Sequence, residues 1–185
     1  MDEPTWEAHL LRSRLNVAAY FLFGLIAFLA GSWLSHTTSA QTSGDASDLR
    51  DRITIQERLL YAYAYTYDSK DCASWANLFT TDAILTLAAP RVTGRDAMLQ
   101  WCIARQKNVV GNIETHHYMT NIVFDELTAS EAKTRTYVVL TWQKPGDMSP
   151  STVTAGTYQD LIVKQNDGRW VFKEREGHFN LAQSK

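Results

Sequence analysis

The chain is 185 residues long, enough for one domain with a sizeable core and a smaller appendage. Its formal net charge is −2, and its 18 Lys and Arg and 20 Asp and Glu are scattered, so the basic stripe that nucleic-acid binding needs is missing. Two cysteines cannot make a disulfide framework, and no internal repeat or low-complexity tract points to a scaffold.

Arg12 and Arg14 precede an uncharged apolar run from Leu15 to Leu34. As a helix, at about 1.5 Å per residue, the run reaches roughly 30 Å, the thickness of a bilayer's hydrocarbon core. Two export readings stand. Thr38-Ser39-Ala40 before Gln41 has the small residues of a signal-cleavage site, whereas the length of the run and its acidic leader (Asp2, Glu3, Glu7) favour a retained single-pass anchor with a cytoplasmic N-terminus. In both, the arginines on the N-terminal side send the remainder of the chain out of the cytoplasm. Residues 1–34 are therefore leader plus anchor or signal, and residues 35–47, small and polar, are a flexible linker. The domain proper is 48–185.

Asp48 stands where a helix N-cap belongs, and the residues after it have helical spacing, with Ile53, Leu60, Tyr63 and Tyr67 on one stripe up to Asp68. A short second helix is predicted from Cys72 to Phe79, a turn at Thr80-Thr81-Asp82, a strand over Ala83–Leu87 and a loop from Pro90 to Thr93. Gly94-Arg95-Asp96 opens a third helix that runs to about Lys107. Cys72 and Cys102 lack zinc-site spacing; a bridge needs their Cα atoms within about 7 Å, and two separate thiols are the other reading.

From His116 the apolar period switches from helical to two. Four strands are predicted: His116–Glu126, Ala132–Gln143, Val153–Gln165 and Trp170–His178. Pro145-Gly146-Asp147 and Asn166-Asp167-Gly168 supply hairpin-turn residues between them. Helices followed by antiparallel strands make an α+β domain, three helices packed on one strongly curved, mainly antiparallel sheet, with a cavity between the long helix and the concave face. The tandem His116-His117 heads the first of these strands, a rigid mount for a group that both accepts and donates protons near neutrality. Side chains alternate along a strand, so only one of the two faces the cavity; which one stays open. No third or fourth ligand is spaced to join them at a metal.

Three strings carry a resemblance that covers about Leu49 to Gly177. They are Tyr63-Ala64-Tyr65-Thr66-Tyr67-Asp68 with Asp71, Trp75, Leu78-Phe79 and Asp82-Ala83; His117-x-x-x-Asn121-Ile122; and Ala155-Gly156-Thr157-Tyr158-Gln159-Asp160 leading to Asp167-Gly168-Arg169-Trp170. In this order they resemble the SnoaL-like branch of the nuclear transport factor 2-like superfamily, which includes scytalone dehydratase, bile-acid dehydratases, polyketide cyclases and ketosteroid isomerase. The resemblance implies a cone-shaped α+β roll with a deep apolar pocket, no metal or organic cofactor, and a homodimer through the outer sheet face.

It also implies a site. Tyr63 and Asp68 match the dehydratase-like spacing at the end of the first helix, with His117 ranked before His116 as their partner; Tyr65, Trp75, Asn121, Tyr158 and His178 are the candidate substrate contacts. The expected activity is that of a lyase or isomerase acting on a small apolar hydroxy-carbonyl compound. The competing expectations are a non-catalytic extracytoplasmic domain that binds a small molecule or a protein, and a purely structural subunit. The expected partners are a small apolar ligand and, through the N-terminal segment, the membrane, with no nucleic acid.

Overall fold

The computed structural model describes residues 44–87, 91–150 and 152–179. The chain divides into two units, Met1–Ser47 and Asp48–Lys185, and almost everything described belongs to the second. The apolar run Leu15 to Leu34 and its export readings lie outside the described residues; among those described, no helix is long and apolar enough to cross a membrane.

The first helix, α1, is already helical at residue 44, passes through a wide π turn at Gln56–Leu60 and continues as Tyr61–Asp68. Asp48 therefore sits inside a helix rather than at its N-cap, and its carboxylate accepts from Arg52 one turn on. The helix stops at Asp68 by a defined device. Lys70 takes the left-handed conformation (φ 65°), its N–H donates to the Tyr67 carbonyl, and the Asp71 N–H reaches back to the Thr66 carbonyl. That bond pattern is a Schellman stop, with lysine at the position glycine usually fills.

The second helix, α2, spans Cys72–Ala76, with Asp71 capping its start through a bond from the Ser74 N–H. It ends three residues before the predicted boundary because Phe79 opens strand β1, Phe79–Thr86. Thr80-Thr81-Asp82 is strand and not turn, since β1 pairs in parallel with the last strand and carries an irregularity between Phe79 and Ile84. A two-residue strand β2, Val92–Thr93, occupies part of the predicted loop and pairs with β1. Helix α3, Arg95–Arg105, follows and runs into a second π turn, Gln106–Val110.

Four long strands complete the domain: β3 (Glu114–Leu127), β4 (Glu131–Gln143), β5 (Thr152–Lys164) and β6 (Trp170–Phe179). The sheet order is β2-β1-β6-β5-β4-β3, antiparallel except for β1 beside β6, so β3 is an edge strand. This is the curved, mainly antiparallel α+β arrangement that the sequence pattern anticipates, with β2 as a sixth strand beyond the five predicted. Cys72 and Cys102 form a disulfide with Cα atoms 5.7 Å apart, stapling α2 to α3; the reading as separate thiols is thereby corrected. The core lies between the helices and the concave face, where Leu59, Tyr63, Trp75, Phe79, Met98 and Phe172 are all but fully buried. Tyr118, Tyr137 and Val153 remain exposed on strands β3, β4 and β5.

Candidate active site

Asp68 ends α1, where the carbonyl end of the helix dipole disfavours a carboxylate. Three hydrogen bonds from the edge strand offset that penalty. The Thr115 hydroxyl donates to Oδ1 at 2.8 Å, the His117 backbone N–H to Oδ2 at 2.8 Å, and the His117 ring nitrogen Nδ1 lies 2.7 Å from Oδ1. The outer edge of β3 has no neighbouring strand to take its N–H groups, and the carboxylate takes one of them. Helix end and strand edge are thus tied at the residues that carry the chemistry.

The pair is buried, with the His117 side chain 5% and the Asp68 side chain 16% exposed. With Nδ1–H donating to the carboxylate, the neutral imidazole carries its lone pair on Nε2. The ring stands edge-on to two phenols, 6.1 Å from the Tyr63 ring and 5.3 Å from that of Tyr67. An open groove of about 620 Å³ between the last turns of α1 and the start of β3 reaches both Asp68 and His117.

Tyr63 is packed among Trp75, Phe79, Tyr158 and Phe172, with ring centroids 5.6 to 6.2 Å away. Burial pushes its phenol above the usual value, while the neighbouring Arg175 charge and a hydrogen bond with Tyr158 pull the other way. Burial likewise raises Tyr158, and raises Tyr67 to about 12 against the opposing charge of Arg105. All three phenols keep their protons at neutral pH and can serve as donors.

Beneath Tyr63 and Tyr158, the Arg175 guanidinium lies 4.1 and 4.3 Å from their ring centres and donates through Nε and Nη2 to the buried Asp160 carboxylate at 2.7 and 2.9 Å. Its remaining nitrogen, Nη1, and the indole nitrogen of Trp75 are buried donors without a partner among the described residues. A buried polar atom left unpaired costs stability unless a ligand or water completes it.

The structure therefore brings Asp68, His117, Tyr63, Trp75 and Tyr158 into one cluster. Four other candidates stand outside that cluster: His116 and Tyr65 line the open groove beside Asp68 and His117, and Asn121 and His178 lie away from it. His116 is exposed and stacks on Tyr118, because its side chain takes the opposite strand face from His117. Tyr65 is 77% exposed and lines the same groove as Asp68 and His117, outside the buried ring cluster, being two residues and hence about 200° round the helix from Tyr63. Asn121 is an exposed bulge residue with φ 50°, where the β3–β4 register slips, so its conformation serves the strand bend rather than a ligand. His178 is exposed beside Glu176 on the outer face of β6.

Sequence reasoning missed Tyr67, Thr115 and Arg105. Tyr67 was visible as the residue one turn after Tyr63 on the same stripe. Arg105, which donates to the Tyr67 hydroxyl at 3.1 Å, gave no local signal, since 38 residues separate the two.

Comparison with known proteins agrees with this architecture. The model of the SnoaL-like domain matches residues 47–176. The Terrestric acid biosynthesis cluster protein E of Penicillium crustosum is 26% identical over 130 residues, 68% of this chain and 80% of that protein. Among solved structures, a scytalone dehydratase-like protein of Novosphingobium aromaticivorans superposes with a TM-score of 0.64 at 27% identity, covering 74% of this chain and 89% of the other. LinA superposes with a TM-score of 0.61 at 22% identity, over 74% and 90% of the two chains. A match over residues 47–176, on a helix-and-curved-sheet domain of this topology, places the chain in the SnoaL-like domain family, with the nuclear transport factor 2-like fold.

Proposed function

We propose that the domain is a cofactor-independent lyase or isomerase acting on a small, largely apolar hydroxy-carbonyl compound. The observation that carries this reading is the 2.7 Å contact between His117 Nδ1 and Asp68 Oδ1, buried next to two protonated phenols. Nε2 of His117 takes a proton from the carbon beside the substrate carbonyl, and the Asp68 carboxylate stabilises the imidazolium that forms. The electron pair moves onto the carbonyl oxygen, where Tyr67 or Tyr63 donates a hydrogen bond to the developing enolate.

Collapse of the enolate expels a hydroxyl from the next carbon as the imidazolium returns its proton to it, so that a C=C bond forms and water leaves. Return of the same proton to a different carbon gives an isomer instead. Trp75, with its buried and unpaired N–H, supplies a further donor toward a ligand oxygen. The likeness to a scytalone dehydratase-like protein supports the same reaction class.

Native mass spectrometry of the purified full-length protein, with extraction of bound small molecules, tests this. Asp68→Asn and His117→Ala are expected to accumulate a hydroxy-carbonyl compound that wild type holds one water lighter, or isomerised, and to lower turnover by about 10²- to 10⁴-fold. The same ligand bound unchanged in all three proteins would sink the catalytic reading and leave a binding domain.

We further infer that the domain works outside the cytoplasm. The support is the Cys72–Cys102 bridge, a kind of bond that persists in oxidising compartments and is rare in the cytosol.

A further inference from the structure

Arg105 differs from the other shielded arginines of the domain. Arg175 is held by Asp160, Arg52 by Asp48, and Arg95 by the carbonyl oxygen of Phe79. Arg105 is half-buried, yet among the described residues it meets neither a carboxylate nor a carbonyl. Its Nε–H donates to the neutral Tyr67 hydroxyl at 3.1 Å, and its guanidinium carbon lies 5.6 Å from the Trp101 ring and 6.0 Å from the Trp142 ring. Its two terminal nitrogens donate no hydrogen bond to the described residues.

Shielding a charge from water carries a desolvation penalty that indole faces offset only in part. A planar guanidinium with its outer edge free matches the two oxygens of a carboxylate. The location is also specific. The Tyr67 ring lies 5.3 Å from His117, and Trp101 stacks on Trp75 at 5.8 Å, so Arg105 is linked to the Asp68–His117 pair through Tyr67.

We propose that Arg105 anchors a carboxylate of the ligand, which makes the natural substrate a hydroxy-carbonyl acid. That the ligand is a substrate rests on the reaction proposed above; the anion site itself stands on Arg105 alone. Tyr67 bridges the two functions, since its oxygen accepts from Arg105 and its own proton is left for a second ligand oxygen. The buried Arg175 does not compete for this role, because Asp160 already engages two of its three nitrogens.

Isothermal titration with two probes of equal shape, 2-naphthoate and 2-naphthamide, tests the anchor without knowledge of the substrate. Wild type is expected to bind the naphthoate at least about tenfold more tightly than the amide, and Arg105→Gln to bring the two within about twofold by weakening the naphthoate alone. Asp68→Asn, which disables the base, is expected to keep the full preference, so loss of turnover with the preference retained reports on the reaction and not on the anchor. Absence of naphthoate binding to wild type at millimolar concentration, equal affinity for the two probes, or a preference that survives Arg105→Gln overturns the proposal. Circular dichroism checks the fold of each variant. If Arg105→Gln does not fold, Arg105→Lys replaces it: a reduced preference supports a fork-shaped site, and an undiminished one overturns it.

Discussion

Tyr63 and Tyr67 stand one helical turn apart on α1 and both are buried, yet their hydroxyls meet different neighbours. Tyr67 receives Nε–H from Arg105, so its oxygen is already an acceptor and its proton is left to donate to another oxygen, while its ring lies 5.3 Å from that of His117. Tyr63 lies over the face of Arg175 and beside Tyr158, deeper among apolar rings. Tyr67→Phe is expected to lower kcat/KM by about 10- to 100-fold on the compound recovered from wild type, mostly through kcat, because it removes a donor to the enolate. Tyr63→Phe is expected to cost less than about tenfold and to act partly through stability. Steady-state kinetics on both variants decides; the reverse ranking would make Tyr63 the principal donor.

At the scale of elements, the site depends on where helices stop and what ties them together. The stop at Ser69-Lys70 presents the Asp68 carboxylate to β3, and Lys70 Nζ donates to the Gly111 carbonyl at 2.5 Å, linking the end of α1 to the end of the second π turn. The Cys72–Cys102 bridge joins α2, which carries Trp75, to α3, which carries Trp101 and Arg105. Closing a loop with a sequence separation of 30 stabilises the fold by on the order of 3 to 4 kcal/mol in the chain-entropy account. Cys72→Ser with Cys102→Ser is expected to lose about that much in urea unfolding, measured against the oxidised wild type. Thiol alkylation before and after reduction, applied to protein taken directly from cells, should find both cysteines protected until reduction. Free thiols at that stage would count against the extracytoplasmic assignment.

Across the whole molecule, long-range polar ties hold the helical layer to the sheet. Asp51 on α1 accepts from Lys164 at 2.9 and 3.1 Å and from the Trp170 indole at 3.1 Å, at the end of β5 and the start of β6. Burial alone would raise the Asp51 carboxyl; the bonds from Lys164 and Trp170, with the lysine charge, overcome it and hold the group below its ordinary value of 3.8. A carboxyl depressed in the folded state contributes stability that is full above its unfolded value and is lost as pH falls through the folded one. Urea midpoints should therefore drop more steeply in wild type than in Asp51→Asn below about pH 4, and at pH 7 the variant should be weaker by roughly 1 to 2 kcal/mol. Parallel pH dependences would show that the tie does not form.

Much of this architecture was legible before any coordinates. Leu60, Tyr63 and Tyr67 of the predicted stripe marked the buried face of α1, although Ile53, its first member, is exposed, and the period of two after His116, broken by Pro145-Gly146-Asp147 and Asn166-Asp167-Gly168, marked the hairpins to within two residues. These are local signals, written by the repeat of helix and strand and by turn residues with restricted backbones. Thr80-Thr81-Asp82 misled because its strand conformation comes from pairing with β6, some ninety residues away, and no short window contains that.

By itself, the sequence determined the α+β class, the order of elements, and an Asp and a His–His pair at the ends of α1 and β3. Which histidine meets Asp68 was decided by the register of β3 against β4 and by the free edge of β3 facing the helix end, since neighbouring strand residues take opposite faces. That Cys72 meets Cys102, that Arg105 reaches Tyr67, that Tyr65 stands outside the ring cluster, and that Asn121 and His178 lie away from the groove were likewise decided only in three dimensions. Periodicity reports which face of an element is buried. The burial partner is chosen by the packing of elements far apart in the chain, and the chemistry of this site resides in those partners.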